Sequence, residues 1–558
     1  MNIAVILEMA ASAQDRPAVT EGGRTLCAAE LQRLARHAAD RFRGRSAVLY
    51  LGPNHLAYPV ALFGAALAGI PFVPLNYRLG DDQSSALIAR HPQAVVLRPD
   101  DLDALLTARG EAAWRPAPQD QETVAVVLYT SGTTAAPKAA LLRHRHLLAY
   151  VFNTQDFGSA KPGDAGLVAL PPYHVAGLVN LLTTLYAGRR VVYQSTFAPA
   201  DWLATVRREG VTHAMVVPTM LARLTAELGD AQADVPTLRN LAYGGARCPL
   251  WVVERALRQF PDTGFVNAYG LTETASSVCV LGPDDHRRAV ASEDPAVRAR
   301  LGSVGRPLPG VEVEIRDEDG KVLGSGDSGL VFVRGAQISG EYEGAGDLGG
   351  GDGWFATRDR GRLDEDGYLF LDGRADDTII RGGENIAPAE IEDVLLQHPG
   401  VEEAAVLGLP DPEWGQRLVA VLVGAGDPDE IRAFAQRRLR SSKTPDAVVF
   451  RPDLPRTPTG KLLRRTLVAE LAELAELAEL ADPAEAAKPA EAADPAEAAD
   501  PAEAADPAEA ADPAEAADPA EAAKPAEAAK PAEAAKPAES AQPAGPSGPA
   551  EPEETADA

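Results

Sequence analysis

Through its first half the chain alternates amphipathic stretches with short runs of β-branched and aliphatic residues. Ala28 to Arg43 carries the spacing of a helix, while Ser46-Ala-Val-Leu-Tyr-Leu51, Ala94-Val-Val-Leu97 and Val191-Val-Tyr193 read as strands. Such alternation predicts parallel α/β layers. The longest apolar stretch, Tyr58 to Leu75, contains Gly64, Gly69, Pro71 and Pro74, which suits a buried helix followed by a strand better than a membrane span. From Val304 to Arg334 the texture changes to strands and turns. Val311-Glu-Val-Glu-Ile315 alternates cleanly and Asp317-Glu-Asp-Gly320 marks a hairpin turn, so an antiparallel subdomain is expected there. After Gly373-Arg374 the pattern restarts with a helix from about Pro388 to His398 and strands at Ala404–Leu407 and Arg417–Val423, a second and smaller α/β domain. The expected division is residues 1–373, residues 374–466 and a tail over 467–558.

The tail is low-complexity sequence. Leu471, Leu474, Leu477 and Leu480 recur every third residue, so their stripe advances about 300° each time and spirals round a helix instead of facing one side. Six-residue Pro-Ala-Glu-Ala-Ala-Asp/Lys units follow from Pro483; their prolines block long helices, and without large apolar side chains the segment is expected to stay extended and disordered. It also explains the charge. Of the net −28, the 24 acidic residues and four lysines from Ala469 to Ala558 contribute −20, leaving −8 for the body. An acidic chain without a basic patch speaks against nucleic acid as a partner. Cys27, Cys248 and Cys279 lie far apart with no C-x-x-C pair, which suggests neither a disulfide framework nor a zinc site and fits a reducing cytoplasm. Met1-Asn-Ile-Ala-Val-Ile-Leu-Glu8 lacks the basic start and long apolar run of a signal peptide.

Directly behind the apolar run Val124–Tyr129 stands Thr130-Ser-Gly-Thr-Thr-Ala-Ala-Pro-Lys138. A strand ending in small residues exposes successive backbone N–H groups, and Ser131, Thr133, Thr134 and Lys138 add donors for phosphate oxygens. The Walker A spacing is absent, which disfavours a P-loop NTPase.

Further stretches accompany this loop in order: Pro171-Pro-Tyr-His-Val-Ala-Gly177, Tyr243-Gly-Gly-Ala246, Asn267-Ala-Tyr-Gly-Leu-Thr-Glu-Thr274, Gly353-Trp-Phe-Ala-Thr-Arg-Asp359, Gly373-Arg-Ala-Asp-Asp377 running into Arg381-Gly-Gly-Glu-Asn385, and Thr457-Pro-Thr-Gly-Lys461. With them, residues 1–466 resemble the adenylate-forming superfamily: acyl-CoA synthetases, aryl-CoA ligases, luciferases and peptide-synthetase adenylation domains. The resemblance implies a large N-terminal AMP-binding domain, a smaller mobile C-terminal domain with a hinge near Asp376, and ATP, Mg²⁺ and coenzyme A as cofactors or co-substrates. The phosphate loop would comprise Thr130, Ser131, Gly132, Thr133, Thr134 and Lys138. Glu273 matches the glutamate that holds Mg²⁺, and Thr272 the hydroxyl that contacts the α-phosphate. Tyr269 would stack on adenine, with Asn267 and the backbone of Gly244, Gly245 and Ala246 reading its edge. Asp359 and Arg374 match the pair that hold the ribose. Lys461 matches the lysine bridging substrate carboxylate and α-phosphate, and His174 a residue beside the substrate carboxylate.

The chemistry needs these groups. A carboxylate resists attack at its carbon, so thioester formation first turns one oxygen into a leaving group by attack on the α-phosphate of ATP. The attacking carboxylate is already ionised at pH 7, so charge stabilisation and positioning are what the protein supplies. An apolar acyl pocket is expected from Val216-Val-Pro-Thr-Met220, Tyr243 and Ala246. His174 stands where amino-acid-activating relatives carry an aspartate, which points to an aryl or aliphatic acid. Two departures from the family pattern stand out: Ala135 and Ala139 replace usual glycines in the phosphate loop, and Arg358 replaces a common glycine before Asp359. The reading is a small-molecule carboxylic acid:CoA ligase. Loading of a carrier protein, adenylation of an unusual oxyacid such as nitrite, and a catalytically silent nucleotide-binding scaffold remain open as alternatives.

Overall fold

The computed structural model describes residues 1–12, 16–110, 112, 120–130, 137–344, 346–347, 352–457 and 460–481. Every described element belongs to the unit Met1–Ala486; the unit Ala487–Ala558, with most of the repeat tail, lies outside the described residues, and so does the expectation of its disorder.

The predicted alternation folds into two large sheets. In the first, strands Val48–Tyr50, Phe72–Pro74, Val95–Leu97 and Val124–Thr130 run parallel, and Lys138–Arg143 turns back on Val124–Thr130 so that Lys138 pairs with Thr130. The apolar stretch from Tyr58 is the buried helix Ala57–Ala68 followed by the strand Phe72–Pro74, as its glycines and prolines implied. In the second sheet, Arg190–Tyr193, Ala165–Val168, His213–Val216, Asn240–Gly244 and Gly264–Leu271 lie side by side in parallel. Ser276–Leu281 then pairs antiparallel with Gly264–Leu271. The segments behind these parallel strands gather at their carboxyl ends, where open α/β sheets build their ligand sites. His174 follows one strand, Val217–Met220 another, Gly244–Ala246 a third and Thr272–Glu273 a fourth.

The region from Val311 is the expected antiparallel sheet, with strands Val311–Arg316, Gly329–Gly335, Phe355–Leu363 and Leu369–Arg374. Its inward positions Val311, Ile315, Val331, Val333, Phe355 and Leu369 form a separate core. The smaller α/β region has the hairpin Val401–Asp411/Gly415–Gly424, with Ala447–Phe450 parallel to its second strand. The helices Pro388–Leu395 and Pro428–Gln436 cover one face through Ile391, Leu395, Ile431 and Ala435. The other face takes Leu467 and Leu471 of the helix Arg464–Ala481. That helix carries past the expected boundary at residue 467, because Leu467 and Leu471 stand four apart and share one face.

Candidate functional site

Two adjacent strands of the antiparallel sheet bring Asp359 and Arg374 opposite each other in register. Arg374 Nη1 lies 3.2 Å from Asp359 Oδ1 and also donates to the carbonyl of Thr357 at 2.8 Å, so the guanidinium is fixed by backbone as well as by charge. Tyr269, on the second large sheet, donates its hydroxyl to the other carboxylate oxygen of Asp359. Asp359 is 7% exposed, and burial raises its carboxyl above the ordinary range despite the opposing pull of Arg374, Tyr269 and Lys461. A buried carboxylate held this way presents a polar, preorganised acceptor to vicinal hydroxyls.

Glu273 sits in a single 3-10 turn, Thr272–Thr274, that closes the strand Gly264–Leu271. The turn is forced: Ala275 and Ser276 follow it with φ of 50° and 116°, and buried Gln337 ties the kink down by donating to the carbonyls of Thr274 and Ser277. The carbonyl of Glu273 accepts the N–H groups of Ser339 and Gly340, which leads the chain to Tyr342, whose hydroxyl donates to the Glu273 carboxylate. Tyr342 pairs with Ala140 behind the phosphate loop, and Lys138 Nζ stands 5.7 Å from the centre of its ring. Thr130 and Lys138 therefore border the Glu273 carboxylate. Ser131, Gly132, Thr133 and Thr134 lie outside the described residues, as does Ala135.

Lys461 arrives from the smaller region on a turn in which Lys461 N–H donates to Thr457 Oγ1 at 3.0 Å and Gly460 N–H to the Thr457 carbonyl at 2.8 Å. The residue stays solvent-exposed overall, while desolvation and then the Arg374 charge push its ammonium below the ordinary lysine range; Asp377, Asp359 and Glu273 pull it back. Lys461 is thus within electrostatic reach of Asp359, Arg374 and Glu273, although they come from distant parts of the sequence. Gly460 makes the approach feasible. Its φ is +81°, and a Cβ there would come within 2.5 Å of Thr219 Oγ1, at the start of the helix Pro218–Leu228. An ion pair between Arg247 and Asp393 makes a further contact between the two regions.

The remaining expected residues distribute as follows. His174 begins the helix Val175–Tyr186 beside the Tyr173 ring, 4.7 Å away; its Nε2 is buried with no hydrogen-bond partner among the described residues, and burial lowers its pKa to about 4. It is neutral at pH 7. Asn267 commits its Nδ2 to the carbonyl of Ser303 at 3.0 Å, leaving its oxygen for another partner. Gly244 is required by packing: a Cβ there would lie 2.2 Å from the Ala268 carbonyl oxygen of the neighbouring strand. Gly245, with φ of +85°, and Ala246 form the turn behind it. Thr272 opens the Glu273 turn. Tyr243 belongs to the same core cluster as Val216, Val217 and Met220, which are also expected acyl-pocket residues. It is buried in the core with its hydroxyl 2.9 Å from His286 Nε2, because side chains alternate along the strand Asn240–Gly244 and position 243 faces the packed layer. The sequence reading missed Tyr342, whose strand Glu341–Tyr342 is only two residues long and carries no periodicity of its own.

A magnesium ion fits the donor set in one way. Among the described residues no cluster of three or more His, Cys, Asp or Glu side chains could cage a metal, and a single carboxylate such as Glu273 suits a cation that takes its other ligands from phosphate and water.

Residues 7–343 match the AMP-binding enzyme family and residues 390–461 the AMP-binding enzyme C-terminal domain. A feruloyl-CoA synthase of Amycolatopsis is 36% identical over 475 residues, covering 80% of this chain and 94% of the relative. A fatty acid–[acyl-carrier-protein] ligase of Streptomyces coeruleorubidus is 34% identical over 489 residues, covering 81% and 92%. The o-succinylbenzoate CoA synthetase of Bacillus subtilis, solved with its acyl-adenylate intermediate, superposes with a TM-score of 0.72 at 28% identity, over 83% of this chain and 97% of that one. The Asp359–Arg374 pair, Glu273 and Lys461 thus stand in a chain that belongs to the AMP-binding, adenylate-forming enzyme family.

Proposed function

We propose that this protein is an ATP-dependent carboxylic acid:CoA ligase for an aryl or aliphatic acid, acting in the cytoplasm. The observation that carries the reading is the Asp359–Arg374 pair bonded to Tyr269, beside the Glu273–Tyr342 pair, with the Lys461 turn seated against Thr219 through Gly460. Asp359 and Arg374 hold the ribose, Tyr269 and the Gly244–Ala246 turn border the base, and Lys138 with the adjoining loop takes phosphate oxygens. Mg²⁺, held by Glu273, would neutralise phosphate charge.

In the first half-reaction a carboxylate oxygen of the acid attacks the α-phosphorus of ATP, the bond to the bridging oxygen of the β-phosphate breaks, and pyrophosphate leaves. Lys461 lies between the incoming carboxylate and the α-phosphate and stabilises charge that neither reactant bears alone, an effect of roughly 3 kcal/mol in water-excluded sites. Neutral His174 beside the carboxylate can donate a hydrogen bond without holding the acid as an ion pair. In the second half-reaction the thiol sulfur attacks the acyl carbon and AMP departs. Lys461 has no part in that step, and the region 374–466, turning about Asp376, would exchange its turn for the Arg381–Glu384 hairpin.

Loading a carrier protein is the second reading, favoured by the likeness to the fatty acid–[acyl-carrier-protein] ligase. AMP release with Mg-ATP and a panel of aryl, fatty and amino acids, with and without CoA, tests both. Turnover that requires one acid class and CoA supports the ligase. Turnover that requires a phosphopantetheinylated protein instead moves the acceptor to a carrier.

A further inference from the structure

The strand Phe355–Leu363 that carries Asp359 holds a residue the site reading leaves unused. Arg358 has φ of 62°, one of four non-glycine residues in the left-handed region among the described residues, and two of the others, Ala275 and Ser276, follow Glu273. The strand bulges there: Ala356 pairs with Phe332 and Arg360 with Leu330, so three residues span one on the partner. A bulky side chain in this conformation costs stability that glycine would not, so its presence calls for a compensating role.

The antiparallel sheet is rich in arginine, and its pairing is selective. Arg316 pairs with Glu314, Arg334 with Glu312, Arg360 with Glu318, Arg362 with Asp372 and Arg374 with Asp359. Arg358 has no ion-pair partner among the described residues. It is exposed while its neighbours Thr357 and Asp359 are buried. Its charge nevertheless reaches the Tyr342 hydroxyl, the group that binds the Glu273 carboxylate and lies beside Lys138. An exposed guanidinium without an ion-pair partner among the described residues, next in sequence to Asp359 on the bulge and within electrostatic reach of the Glu273–Tyr342 pair, is placed for the part of the nucleotide that extends from one to the other.

We propose that Arg358 is a polyphosphate-binding residue of the adenylation site, contacting the β- and γ-phosphates of ATP and the pyrophosphate that leaves. A planar guanidinium suits two phosphate oxygens at once. AMP, which lacks both phosphates, is blind to it. The inference rests on the adenylation reading, and the experiment separates the two.

Calorimetric titration of the full chain with MgATP, Mg-pyrophosphate and AMP is compared for wild type, Arg358→Gly, Arg358→Asn and Arg358→Lys. Glycine and asparagine tolerate the left-handed backbone, so both variants keep the fold, and Arg358→Gly should melt at or above the wild-type temperature. The expected result is a loss of five-fold or more in MgATP and Mg-pyrophosphate affinity in the Gly and Asn variants, unchanged AMP affinity, and partial recovery with Lys. Equal losses for AMP and MgATP, or no loss for either, would overturn the assignment. A wild-type chain that binds none of the three would overturn the adenylation reading and the Arg358 role with it.

Discussion

The two sides of the site are built differently. On the sheet side, Asp359, Arg374 and Tyr269 are locked by strand register, by a bond to the Thr357 carbonyl and by each other, and Glu273 is pinned through its own carbonyl and by Tyr342. On the other side Lys461 stands on one turn, held locally by Thr457 and, through the Gly460 carbonyl, by Arg456 Nη1 at 2.9 Å. On the proposed adenylation reading, a nucleotide would meet a prearranged ribose and metal face, and the lysine that would stabilise the transition state sits on a separate turn of the smaller region. That reading separates binding energy from catalytic charge along the chain, and so would allow one of them to be withdrawn between half-reactions.

Mutations should respect this division. Removing Lys461 is expected to have the largest effect, lowering adenylation by about 10²–10³-fold with little change in nucleotide affinity. Asp359→Ala should act the other way, weakening MgATP and AMP together by roughly 10²-fold through two lost hydrogen bonds to a charged acceptor, measured by equilibrium binding. Gly460→Val would drive its side chain into Thr219, so adenylation should fall by more than about ten-fold while AMP binding holds; equal AMP loss would show that the turn also shapes the sheet side. Tyr342→Phe leaves the Glu273 carboxylate without its hydroxyl donor and should shift the Mg²⁺ dependence by about ten-fold or less.

The smallest effect concerns stability. His144 and His146 are 2% and 0% exposed, and burial lowers them to about 4 and about 3. Each accepts a backbone N–H at Nδ1, from Ile3 and Arg143, which only the neutral ring can do. Because the unfolded histidines take up protons first, near pH 6.5, stability is complete above that pH and falls as acid is added towards pH 4. The melting temperature should decline across that window, and His146→Gln should flatten the decline.

Much of the sheet side was legible because its residues sit in short, ordered motifs at the ends of strands whose apolar pattern is plain. Lys461 was legible as a motif, but the seating of its turn was not, since the approach of Gly460 to Thr219 joins positions far apart in sequence. Tyr342 was invisible for the same reason: its role depends on Ala140 and Glu273, neither of which its own segment predicts. Ala246, Thr272 and Asn267 lie within their motifs as read, but what they would hold is set by a ligand.

The most direct test measures the half-reactions separately in Lys461→Ala. With acid and MgATP, pyrophosphate release should fall by about 10²–10³-fold, while thioester formation from presynthesised acyl-adenylate and CoA should proceed within a few-fold of wild type. Equal loss in both half-reactions would contradict the separation of the two sides.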